Sequence, residues 1–257
     1  MGCIDLCILM VKIEGGEGEM VYLMFLAHLL GDYLLQTDSL ARWKARSLVG
    51  ILAHGGIVTL TTMVCAVLVS PRWWPYALLI GLTHTVIDLV RARFLRTSNS
   101  AWELTWYLLD QLAHLAVIVL VVAHSDAIPR SALTGVAVLL TDPRVLVYAI
   151  CYSLLLNPAW VLLRFTVRGV WGPNAAPYLG QGEKYGPMVE RVLIASCVLT
   201  GHFYLAPLVL IPRRVVPLRL EGQGVGVLVR STGHWAETAM GVLLAVAAGL
   251  TLRVVKG

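Results

Sequence analysis

The sequence specifies an all-α fold, a polytopic transmembrane helical bundle, and three observations carry that reading. Of its 257 residues, 58% are hydrophobic and only 14% charged, whereas soluble domains use about 25% charged residues to cover their surface. Mean hydropathy is +0.77. Apolar windows of roughly the 20 residues that a bilayer demands recur along the chain. The same composition excludes a disordered chain, and five scattered cysteines with no CxxC pair exclude a disulfide-stapled secreted module. The excess of Lys and Arg, 20 against 15 Asp and Glu, does not imply nucleic acid. In a membrane protein it marks cytoplasmic loops facing anionic lipid.

Six or seven spans are expected, near 21–37, 48–69, 75–91, 103–123, 145–164, 187–211 and 235–252. Residues 1–19 read as an N-terminal extension whose apolar patch is too short and wrongly flanked for a signal peptide. Residues 20–124 form a four-helix core, and 125–257 supply C-terminal membrane helices with a Gly- and Pro-containing linker over 165–186. Arg42, Lys44 and Arg46 follow the first span, and Arg91, Arg93 and Arg96 follow the third. Short basic loops stay in the cytoplasm, so the amino terminus is predicted outside. Arg213, Arg214, Arg219 and Arg230 conflict with that alternation if all seven spans are real. EGQGVG at 221–226 follows no strand and reads as a loop, and GQGEKYG lacks the spacing of a phosphate-binding loop.

Ionisable residues in the first four spans are the informative departure from apolarity. The first holds His28 and Asp32, the second His54, the third His84 and Asp88, and the fourth Asp110 and His114. Each Asp near a span centre is disfavoured by about 2.5–3.5 kcal/mol on insertion scales, so these groups must be paired, hydrated or bound to a cation. His28 with Asp32, His84 with Asp88, and Asp110 with His114 are each four apart, which stacks them on one helix face, and Gln36 extends the first stripe. Measured from the basic loops, all seven fall at a common depth of roughly 5–16 Å. His28 to His84, Asp32 to Asp88 and His54 to Asp110 are each separated by 56 residues, which suggests a two-hairpin parallel repeat that gathers both sets at the bundle centre.

Mixed imidazole and carboxylate ligands on facing helices suit a divalent metal, with zinc, manganese or iron favoured and magnesium as the oxygen-preferring option. The expected ligand set is His28, Asp32, His54, His84, Asp88, Asp110 and His114, enough for one ion or two. A metal at this depth meets cytosolic water and the headgroup end of a lipid. A metal-dependent hydrolase or related transferase acting on a lipid-like or amphipathic substrate is therefore expected. Asp32 or Asp110 would act as base, and Lys44, Arg46, Arg91 and Arg93 would hold an anionic headgroup. Two other readings use the same residues: an ion or proton pathway, with Gly31, Gly55, Gly56 and Gly81 allowing unwinding, and a non-catalytic structural network. In the second half, Glu190 and Arg191 are expected to be solvated or snorkelling, and His202 to be either packed or an eighth ligand.

AHLLGDYLLQTD, HGG, HTVIDLVRAR and LLDQLAHL, in that order over residues 20–124, resemble the bacterial membrane family catalogued as domain of unknown function 3307. GEKYGPMVERVLI at 182–194 and ETAMG at 237–241 extend the likeness faintly. The resemblance implies a polytopic helical protein of the bacterial cytoplasmic membrane and supplies neither substrate nor catalytic residues.

Overall fold

In the computed structural model of the chain, residues 16–95, 102–126, 128, 133–176, 184–211 and 225–257 are described, and every regular element among them is helical. They fall into two compact units, one within Met1–Thr97 and Trp106–Ser153, the other within Ser98–Thr105 and Leu154–Gly257. In the first unit α1 (Gly16–Leu29) passes into a π-helical turn (Leu30–Leu34), followed by α2 (Asp38–Arg46), α3 (Leu48–Val69), α4 (Trp74–Leu95), α5 (Glu103–Ala123, whose residues up to Thr105 belong to the second unit) and α6 (Val136–Leu140). Helix α7 (Pro143–Leu155) follows.

The first expected span ends early because the helix widens. Leu35 N–H donates to Leu30 O at 2.8 Å, five residues back, and the chain leaves the helix before Gln36, which therefore does not extend the stripe. Helix α2 then runs at 86° to the segment Gly18–Leu34. Hydroxyl caps fix both turns: Thr37 Oγ1 accepts from Leu40 N–H at 3.2 Å, and Ser47 Oγ accepts from Gly50 N–H at 2.9 Å. At the opposite end of the unit, Tyr76 Oη donates to Asp126 Oδ2 at 3.3 Å and Trp73 Nε1 to Asp126 O at 3.4 Å. These bonds tie the α3–α4 turn to the end of α5.

Helices α3 and α4 pack through a reciprocal Gly-xxx-Thr pair. Thr59 Oγ1 donates to Gly55 O at 2.7 Å and Thr85 Oγ1 to Gly81 O at 3.0 Å, so both hydroxyls are satisfied inside their own helices. Each threonine then fills the notch left by the other helix's glycine: a Cβ at Gly55 would collide with Thr85, and one at Gly81 with Thr59. Small residues allow this backbone approach, which replaces the hydrophobic drive that lipid cannot supply. Both helices run unbroken through Gly55, Gly56 and Gly81. Gly55 and Gly81 serve this packing, whereas a Cβ at Gly56 would meet nothing and Gly31 lies in the π turn.

Three helices are long and apolar enough to cross a membrane, Leu48–Val69, Glu103–Ala123 and Gly233–Lys256, or up to five if each of two bent pairs is one span. The expected six or seven are not reached among the described residues. Helix α4 has 22 residues, as many as α3, but His84, Asp88 and Arg91 dilute its apolarity. The span expected over 145–164 breaks at Leu156. The one expected over 187–211 stops at Thr200, where Gly201 turns the chain with φ of 81°. Residues 177–183 and 212–224, including Glu183, Arg213, Arg214 and Arg219, lie outside the described residues.

In the second unit, α8 (Asn157–Trp171) occupies the first part of the segment expected as linker, followed by α9 (Tyr185–Leu199), α10 (Ala206–Val209) and α11 (Val225–Lys256). Arg191 does not snorkel. It is buried and donates from Nε to Leu155 O at 2.7 Å and from Nη2 to Leu156 O at 3.1 Å, joining the Trp160 N–H that Leu156 O already accepts beside the break before α8. Arg168 grips Glu103 in two bonds of 2.8 and 3.2 Å and also donates to Ala176 O at 3.2 Å, and Arg164 lies 3.5 Å from Glu237. His202 is exposed rather than packed and interacts with Thr200 and Tyr204.

Gly55→Ala should destabilise the protein by about 1–3 kcal/mol through overpacking, read as a lower unfolding temperature in detergent. Combining it with Thr85→Ala should recover most of the loss. Arg191→Ala should cost about 2 kcal/mol by removing the charge-assisted bond from the buried Leu155 carbonyl, measured in the same assay.

Candidate metal centre

All seven sequence-identified residues are buried in the first unit, at the end where α1 and α4 finish and α3 and α5 begin. His54 comes to this level because Ser47 caps α3 shortly before it. His84 and Asp88 arrive one turn apart on α4, as Asp110 and His114 do on α5. Asp32 sits within the π turn. Its register carries the carboxylate away from His28, leaving His28 Nε2 4.0 Å from Asp32 Oδ2, and toward α3. π turns recur at functional sites because the extra residue re-aims a side chain.

Four atoms from three segments converge. His54 Nε2 lies 3.0 Å from Asp32 Oδ1, 3.5 Å from Asp88 Oδ2 and 3.3 Å from His84 Nε2. His84 Nε2 lies 3.2 Å from Asp88 Oδ2 and 4.0 Å from Asp32 Oδ1. Around a tetrahedral ion with bonds of 2.0–2.1 Å, ligand atoms stand about 3.3 Å apart, so these separations bracket the edge length of such a site. His54 is 0% exposed and the others are nearly as deeply buried. Asp32, His54 and His84 form one group able to hold a metal, and His84, Asp88 and His114 form a second, with ligand atoms in each group within 4.8 Å of one another.

The remaining expected ligands stand beside this cluster. The His28 ring packs on His84 and His114 with centroids 5.3 and 5.0 Å apart, and His84 meets His114 at 4.3 Å. Asp110 Oδ2 accepts from Arg91 Nη1 and from Gln111 Nε2, each at 3.0 Å, while its Oδ1 has no hydrogen-bond partner in the protein. The Nδ1 atoms of His54 and His84 likewise have none, so packing and the contacts at Nε2 orient those two rings.

Two side chains expected at a lipid headgroup are instead built into the network. Lys44 Nζ lies 2.7 Å from Asp88 Oδ2 and 3.7 Å from Asp32 Oδ1, and Arg91 holds Asp110. Arg46 and Arg93 are exposed. Sequence reasoning missed that Lys44 turns inward, because α2 runs across α1 and no helical periodicity relates the two. It also missed the buried pair in which Tyr33 Oη donates to Tyr107 Oη at 2.9 Å. Asp32, Asp88 and Asp110 thus face two cations, Lys44 and Arg91. One buried negative charge is left over for a proton or a metal to balance.

Arg91→Leu should lower stability by about 2 kcal/mol, since it strands the buried Asp110 carboxylate while the partly exposed arginine loses little. The pair Arg91→Leu with Asp110→Asn should recover most of that loss in a double-mutant cycle followed by thermal unfolding.

No curated protein and no solved structure matches the chain. The segments at 182–194 and 237–241 lie outside the one matched region, which runs past α5 into α6. Residues 20–138, the part of the chain that holds the whole His/Asp cluster, match the family described as "Protein of unknown function (DUF3307)".

Proposed function

We propose that the first unit is an integral-membrane, metal-dependent hydrolase, or related transferase, acting on a lipid-like, amphipathic substrate. The observation that carries this reading is the convergence of Asp32, His54, His84 and Asp88 within 3.0–4.0 Å of one another along the measured edges. Two imidazoles and two carboxylates suit zinc, manganese or iron better than magnesium, which prefers oxygen ligands. A divalent ion bound there supplies Lewis-acid chemistry, polarising a carbonyl or phosphoryl oxygen and acidifying water.

Asp110 is the better general base of the two carboxylates singled out from the sequence. Arg91 and Gln111 fix its Oδ2, and Oδ1 remains open to accept a proton. Asp32 belongs to the ligand cluster. In hydrolysis the oxygen of water bonds to the carbonyl or phosphoryl centre, the ester bond breaks, and the proton taken by Asp110 passes to the departing alcohol. The location supports a lipid substrate. Exposed Arg42, Arg46 and Arg93 gather at this end of the unit, which the positive-inside rule assigns to the cytoplasmic face. The amphipathic α2, with Trp43 46% exposed, suits the headgroup region. The off-centre depth of the site favours an enzyme over a transporter, whose sites lie near the midplane.

Elemental analysis of detergent-purified protein carrying no metal-binding tag should find near-stoichiometric zinc, manganese or iron, with the metal lost in Asp88→Asn. The loaded protein should release water-soluble product from lipid esters or phosphoesters. Chelation should abolish that release and metal should restore it. Asp110→Asn should keep the metal and lose at least about 100-fold in rate, the range of general-base catalysis. A folded wild type that takes up no metal would overturn the reading. Metal-dependent ion flux into proteoliposomes without any hydrolysis would replace it with transport.

A further inference from the structure

We propose that Lys44 and the metal exchange for the same two carboxylates, and that displaced Lys44 is the residue that binds the anionic group of the substrate. The inference rests on the metal-centre reading and gives the substrate a chemical class, an ester bearing a phosphate.

The geometry is specific. Asp88 Oδ2 and Asp32 Oδ1 are the oxygens nearest the two Nε2 atoms, and Lys44 Nζ approaches the same oxygens at 2.7 and 3.7 Å. An ammonium and a divalent ion cannot share them, because two cations at that separation in a poorly solvated site repel by several kcal/mol. Charge balance points the same way. Three carboxylates with Arg91 and Lys44 leave one negative charge, whereas a divalent ion with Arg91 and no lysine leaves none. Loading the metal therefore expels Lys44.

The side chain has somewhere to go. Its relative exposure is 16%, against 1% for the Asp88 side chain, so it enters the cluster from the rim. Its helix is a nine-residue segment crossing the end of the unit at 86° to the first span, bounded by Thr37 and Ser47. No residue of α2 is buried. A lysine on a four-carbon stem can swing outward without moving the helix. Once released, the ammonium stands at the rim of the site beside the metal, where a phosphate on an amphipathic substrate would meet it.

Metal affinity measured by competition with a chelating dye separates the possibilities. Lys44→Met, which keeps the stem and removes the charge, should bind zinc or manganese at least about 10-fold more tightly than wild type, a gain of about 1.4 kcal/mol. Lys44→Arg should stay within about 3-fold of wild type. Inorganic phosphate should protect the metal-loaded wild type and Lys44→Arg against thermal unfolding but leave Lys44→Met unaffected. Equal or weaker metal binding by Lys44→Met would overturn the exchange, and phosphate protection surviving in that variant would overturn the recognition role. Should Lys44→Met not fold, Lys44→Gln decides by the same measurements. Metal binding by neither wild type nor variants would instead remove the metal-centre reading itself.

Discussion

Carboxylates buried at membrane depth constrain everything else in the first unit. Water cannot stabilise them there, so each must find a cation or a donor. The chain meets this demand with two basic side chains drawn inward from the end of the bundle, Lys44 onto Asp88 and Asp32, and Arg91 onto Asp110. Much of the local architecture serves these contacts. The π turn aims Asp32 at α3, the Thr37 and Ser47 caps hold α2 across the end of the unit, and the early start of α3 brings His54 to the level of Asp88. The cost of burial leaves a cluster one positive charge short of neutral and shaped to accept it.

Rigidity around that cluster comes from a different source. Lipid offers no hydrophobic reward for joining helices, and α3 and α4 meet through interlocked glycines and threonines whose hydroxyls are satisfied within their own helices. The contact lies immediately beside His54 and His84. Holding Gly55 against Thr85 therefore holds the two imidazole-bearing helices at one spacing, and the Nε2 atoms end 3.3 Å apart. Ligand positions on packed helices are reproducible in a way that loop positions are not.

The helical class and the burial of all seven His and Asp residues were legible because both depend on local sequence. Apolarity sets the first, and i to i+4 spacing with span depth sets the second. Repeat-related residues also meet: His28 lies against His84, and Asp32 and Asp88 share Lys44. What the sequence concealed depends on breaks in periodicity. Gln36 looked like the next step of a stripe until the widened turn ended the helix, and the apolar runs over 145–164 and 187–211 gave no warning of the breaks at Leu156 and Gly201. Arg191 looked like a terminal, snorkelling residue because its partners are backbone carbonyls beside one of those breaks. No pattern of side chains could announce them.

Lys44 shows the same limit and explains why it matters for function. In sequence it is one of three basic residues in a short loop, indistinguishable from Arg42 and Arg46 as a topology determinant. In the fold it is the group that touches both carboxylates of the cluster, while Arg42 and Arg46 remain exposed. A purely structural counter-ion would serve best with its charge fully enclosed and its stem packed. Lys44 instead reaches in from a helix that buries no residue, so its ion pair can open without breaking the core. A neutralising charge that enters from the rim, on a side chain 16% exposed, is suited to leaving, which is what a site that alternates between an internal cation and an external one requires.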